Sequence, residues 1–235
     1  MERDIESGAA PDAQADIAAL EKGVCDAIAR EGDVRGVVRD LTVQALSTQN
    51  RDLESLRRIM TAVMRGVHEG ARQKLPPSPA SAQAALAPVR DAVAGLDAGL
   101  AQFAEASKLA LEEARGRAQA FSSEELARLR TELEGVEALF FEIVQTSAAT
   151  AHEAVSETLR DLVAHARRSG TSVGAQLKDT LAAFNREIAA AGQSRVEAGL
   201  QLTQAVTGLM RQIAAGVLTG IAERIRSDGG SEKPG

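Results

Sequence analysis

Three histidines, one cysteine and 33 carboxylates are the residues from which this chain of 235 would have to build an active site. A di-iron centre in a helical bundle needs a Glu-x-x-His pair on each of two helices. The residues three before His68, His152 and His165 are Arg65, Ala149 and Leu162, so the pattern is absent at every histidine. His-x3-His and Cys-x2-Cys zinc spacings are missing too, as is a Gly-rich phosphate loop. The expectation is a chain with no metal ligands and no cofactor.

One string has a catalytic spelling. Gly170-Thr171-Ser172-Val173-Gly174 matches G-x-S-x-G, which in a hydrolase needs a strand before it and a triad histidine after it. A helical pattern precedes it here, and no histidine lies beyond His165. The motif therefore reads as a glycine-flanked turn between helices, with Ser172 as a candidate N-cap. Glu132, Glu134, Glu137 and Glu142 form an acidic cluster in the sequence, but helical spacing spreads them over a solvated face. His152 and His165 read as surface or boundary residues, and Cys25 as a small buried apolar side chain rather than a reactive thiol. No catalytic residue is assigned, and the expectation is a protein that is not an enzyme.

The elements that would position any site are helices. Aromatic residues make up 2% of the chain, with no Trp or Tyr, while Ala, Leu and Val dominate an apolar content of 44%. Alanine favours helix and buries little area, so the composition points to an all-α fold: an elongated bundle of long amphipathic helices with coiled-coil-like packing. A formal net charge of −6 and the lack of an aromatic platform argue against nucleic acid as a partner. A single cysteine fits a reducing compartment. The N-terminus lacks the basic and apolar regions of a signal peptide, and no stretch reaches the roughly 18 apolar residues of a transmembrane segment. The expected location is cytoplasmic.

Residues 1–12 read as a disordered lead-in, and 13–75 as the N-terminal helices. Ile17, Leu20, Val24 and Ile28 give a first helix over 13–31, closed by Gly32 and followed by Asp33 as the next N-cap. Val34, Val37, Leu41, Leu53, Leu56, Met60, Val63 and Val67 then keep helical spacing to Leu75. This favours one long helix, with the polar patch Ser47–Asn50 as the place where it would divide in two. Pro76, Pro77 and Pro79 mark a hinge at 76–80.

A long-helix bundle is expected over 81–226. Val89, Val93, Leu96, Leu100 and Phe103 make its best heptad run, and Pro88 either kinks that helix or marks its true start. The 122–168 stretch carries Leu126, Leu129, Leu133, Val136, Phe140 and Ile143 without a proline, and reads as one continuous central helix about 70 Å long. Ser122 and Glu125 supply a capping box at its head, and Arg167, Arg168 and Gly170 end it. Beyond Thr171 a last helical region runs to Ile221, with continuity favoured over a break near Gly192. Residues 227–235 read as a disordered tail.

Between Leu202 and Ile221 the only charge is Arg211, and Gly216 and Gly220 form a small-xxx-small pair. Leu202, Val206, Leu209, Ile213, Val217 and Ile221 make the candidate interaction face. It is either the most buried face of the bundle or of a dimer, or a surface that docks onto lipid or polymer.

The segments FAEASKLALEEARGRAQAF and LARLRTELEGVEALFFEIVQTSAATAHEAV give residues 100–190 a texture that resembles the phasins, helical proteins that coat polyhydroxyalkanoate granules in bacteria. The resemblance implies an amphipathic coat protein that binds a hydrophobic granule or lipid surface and self-associates. The competing expectation is a soluble helical scaffold or oligomerisation protein with a protein partner.

Overall fold

The computed structural model describes residues 9–30, 32–48, 52–74, 86–116 and 122–194. Within them the chain is all-α, and seven helices pack around one apolar core. These are α1 (Ala9–Ala29), α2 (Val34–Thr48), α3 (Leu53–Lys74), α4 (Ala87–Gly116), α5 (Ser123–Thr150), α6 (Glu153–Ser169) and α7 (Ser172–Ser194). The hinge at 76–80 and all residues beyond 194 lie outside the described residues.

The helices sort into two layers. In one, α3 lies between α1 and α5; in the other, α4 lies between α2 and α7. Within each layer the registers rise together. Gly66 of α3 meets Glu21 and Val24 of α1, and Gly70 meets Cys25 and Ile28 one turn further along both helices. Gly95 of α4 meets Arg35 and Val38, and Gly99 meets Arg39 and Thr42. Ala104 of α4 lies beside Thr180 of α7, and Arg115 beside Glu187. Helices within a layer therefore run parallel.

The glycines set how close these helices come. A Cβ on Gly66 would stand 2.5 Å from the Glu21 carbonyl oxygen, and one on Gly95 would stand 2.5 Å from that of Arg35. A hydrogen fits where a methyl group does not, so each Gly-x-x-x-Gly pair lets two backbones touch, and the flanking Val24, Ile28 and Val38 fill the space beside them.

Several local expectations hold. Leu20, Val24 and Ile28 are buried, and Asp33 caps α2 by accepting from the Gly36 N–H at 2.8 Å. Pro88 is the second residue of α4, so it marks that helix's start, where a missing N–H costs nothing. Val89, Val93, Leu96, Leu100 and Phe103 are all buried. The Ser122–Glu125 capping box is formed in both directions.

Four expectations need correction. First, α1 begins at Ala9 rather than Ala13, with Pro11 in its first turn. Second, 34–75 is not one helix. Asp52 starts α3 afresh, its side chain accepting from Ser55 N–H at 2.7 Å and its carbonyl from Leu56 N–H at 3.0 Å. Third, the stripe of α2 follows Val34, Val38, Thr42 and Leu46, so Val37 stands 44% exposed.

The fourth is the largest. The central helix ends at Thr150, and Ala151 and His152 are extended (ψ 158° and 148°) before α6 begins. The apolar positions keep phase across the break, from Val144 and Ala148 to Val155, Leu159 and Val163, all buried. Periodicity therefore gives no sign of it. The break lets α6 fold back on α5, where Arg167 lies over the Phe141 ring at 5.5 Å. Ser156 donates its hydroxyl to the Ala148 carbonyl at 2.6 Å and so satisfies one acceptor that the end of α5 leaves open.

Candidate functional site

Two joints of the bundle, between α5 and α6 and between α6 and α7, bring polar side chains from several helices together. At the second joint the G-x-S-x-G string is a turn, as its sequence context implies. Gly170 takes φ +85°, a left-handed conformation that favours glycine, and donates its N–H to the Ala166 carbonyl at 2.8 Å to close α6. The N-cap of α7 is Thr171 rather than Ser172. Its hydroxyl accepts from Gly174 N–H at 2.8 Å and donates to Glu137 Oε1 at 2.5 Å.

Asp97 of α4 takes the remaining donors, accepting from Ser172 N–H at 2.8 Å and Val173 N–H at 2.9 Å. Two carboxylates thus face the positive end of the α7 dipole. Each N–H of the first turn is satisfied, since Ala175 N–H reaches the Thr171 carbonyl at 3.1 Å. This N-terminus has no donor left for a ligand.

A small cavity of about 180 Å³ opens beside this joint. Val93, Phe140, Val144, Leu162 and Val163 contribute apolar walls, and Arg90, Asp97 and His165 also line it. His165 is exposed, and its Nε2 lies 3.3 Å from the Ser169 hydroxyl of its own helix. Asp97 and Thr171, which also line this cavity, are engaged in capping α7.

The first joint holds a wider pocket of about 440 Å³, lined by Glu21 of α1, Arg65, His68, Glu69 and Arg72 of α3, and Thr150, Ala151, His152 and Val155 at the break. His68 is half-buried and hydrogen-bonds the backbone of Ser147 in the last turns of α5. Its Nε2 is buried with no partner. Burial holds the imidazole below the usual histidine range, against the opposing effect of the Ser147 bond. Among the described residues no three His, Cys, Asp or Glu side chains come together as metal ligands would.

The remaining residues singled out from sequence disperse. Glu132 pairs with Arg128 at 3.3 Å, Glu134 with Arg130 at 2.5 Å, and Glu142 with Arg57 of α3 at 2.5 Å. Two of the four depart from the solvated-face reading: Glu137 is half-buried under Thr171, and the Glu132 side chain is only 23% exposed. His152 and His165 are exposed, and Cys25 is buried, with burial raising its thiol above the ordinary range. The candidate face Leu202, Val206, Leu209, Ile213, Val217 and Ile221 lies outside the described residues, as do Gly216 and Gly220.

The roles of Asp97 and His68 escape sequence reasoning because their partners, Ser172 and Ser147, are 75 and 79 residues away along the chain. Thr171 carries a local signal, a hydroxyl three residues before Gly174, but the spelling of the catalytic motif points to Ser172 instead. No described helix is long and apolar enough to cross a membrane.

No curated protein and no solved structure matches the chain. A family defined only as of unknown function (DUF6781) matches residues 10–227, a span that runs through the candidate face and stops short of the last eight residues. With nearly its whole length matched, the chain belongs to the DUF6781 family.

Proposed function

We propose that the protein is a non-enzymatic helical association protein: a folded bundle that engages a hydrophobic partner through the segment Leu202–Ile221, in the manner of a phasin-like granule coat. The observation that supports this is how little apolar surface α1–α7 leave open. Among the described residues, only Val37 at 44% and Leu109 at 43% are large hydrophobic side chains standing exposed. A coat made from these helices would have to open a core that already buries Leu96, Leu100, Phe140, Leu159 and Phe184. Docking through 202–221 leaves that core intact.

The family match supports treating this segment as part of the shared unit, since it continues to residue 227. In this reading Asp97, Glu137, Thr171 and Ser156 serve the two joints by closing helix ends. The closed core also favours a second reading, a soluble scaffold whose partner is a protein.

Flotation with hydrophobic polyester particles or lipid droplets separates the two. The full chain should float with the particles, and a chain ending at Ser194, checked for helix content by circular dichroism, should not. A full chain that stays in the aqueous phase removes the coat reading and leaves the scaffold.

A further inference from the structure

His68 does not belong to the association reading, and its position gives it a separate role. It sits on α3, lining the pocket where α1 and α3 meet the α5–α6 break. From there it reaches the Ser147 backbone in the last turn of α5. Nε2 has no partner, so the bond to Ser147 belongs to Nδ1–H, and the neutral ring is the form that fits. Next to it, Ser156 closes the Ala148 carbonyl from the other side of the break. The α5–α6 joint is therefore held at two successive carbonyls, once from α6 and once from α3.

We infer that His68 is a pH-sensitive latch: neutral, it fastens the α5–α6 joint to α3, and when it is protonated below neutral pH the joint loosens. A proton on Nε2 would place a second donor where no acceptor stands, inside a contact between helices. The charged groups around it leave that cost uncompensated. Glu21 faces the pocket from α1, while Arg65, Glu69 and Arg72 face it from α3. Both carboxylates are engaged, Glu21 with Arg65 at 3.9 Å and Glu69 with Arg72 at 3.8 Å. From the joint itself comes His152, which is exposed.

The direction follows from linkage. A histidine held below its ordinary value contributes stability that is fully present above about pH 6.5 and is lost as pH falls toward its folded-state value, because the unfolded chain then binds the proton more readily. Carboxylates titrate mainly below this window, and His152 and His165 are exposed.

The test is thermal unfolding of the full chain between pH 7.5 and 5.5, followed by circular dichroism, with amide hydrogen exchange of residues 153–169 as the local readout. Wild type should lose about 2–4 °C of midpoint per pH unit below 6.5 relative to His68→Gln, whose amide still donates to Ser147 but does not titrate. Exchange across α6 should rise over the same range in wild type alone. His152→Gln should behave as wild type. Parallel pH profiles for wild type and His68→Gln, or a profile flattened by His152→Gln instead, would overturn the latch. If His68→Gln does not fold, the His68 ring is titrated by NMR in the wild type. A titration at or above the ordinary histidine value, or α6 exchange that does not follow it, overturns the latch equally.

Discussion

Where α3 crosses α1 and α4 crosses α2, backbones meet at glycine and the fit is steric. Where α5 gives way to α6 and α6 to α7, helix ends are held by side-chain oxygens, and the fit is made of hydrogen bonds. The first kind of contact tolerates almost no added volume, because the atom met by a new Cβ at Gly66 or Gly95 is a backbone carbonyl that cannot turn aside. The second tolerates volume but not the loss of an acceptor, because each cap answers for N–H or C=O groups that a buried helix end cannot leave open. The N-terminal half is thus specified by what is missing from its side chains, and the joints of the C-terminal half by what is present on theirs.

Substitutions should separate the two regimes. Gly66→Ala and Gly95→Ala should each cost about 2–3 kcal/mol in chemical denaturation, even after the roughly 1 kcal/mol that alanine returns in helix propensity. Gly23→Ala tests the steric argument at its limit. Its Cβ would meet only the Leu41 side chain, at 3.0 Å, which can rotate, so stability should stay within about 1 kcal/mol of wild type. Equal losses at Gly66 and Gly23 would mean that backbone contact is not what matters at the crossings.

At the α6–α7 joint, Thr171→Val removes the acceptor for Gly174 N–H and the donor to Glu137 while keeping the shape. It should cost about 1–2 kcal/mol. Ser156→Ala should cost about 1 kcal/mol by uncovering the Ala148 carbonyl. Smallest is Arg57→Ala. It deletes the ion pair to Glu142 between α3 and α5, but both side chains are open to solvent, and the denaturation midpoint should not move measurably.

The same division explains what can be read from the sequence. The all-α class, the start of α4 at Pro88, the Ser122–Glu125 box and the stop at Gly170 are legible because each depends on residues within a turn of one another. The α5–α6 break is not, because Val144, Ala148, Val155 and Leu159 stay in phase through it and no glycine or proline marks it. Its mark is subtler: from Gln145 to Ala154 no large aliphatic residue appears, and a helix without one has little to hold it straight against a neighbour. The Gly-x-x-x-Gly pairs of α3 and α4 are in plain view in the sequence, yet Gly216 and Gly220 are more conspicuous, because a long apolar run surrounds them. The role of Asp97 cannot be read at all, since nothing near it in sequence says that a helix 75 residues later will need an acceptor.

The closed bundle and the candidate segment beyond it make opposite demands on a bound state. Hydrogen exchange of the full chain, free and bound to hydrophobic particles, tests them together. If the bundle stays shut and 202–221 carries the contact, peptides from α1–α7 should keep their protection on binding while peptides from 202–221 gain it. Protection lost throughout α1–α7 on binding would mean that the core itself opens onto the surface, and the closed-bundle reading would be wrong.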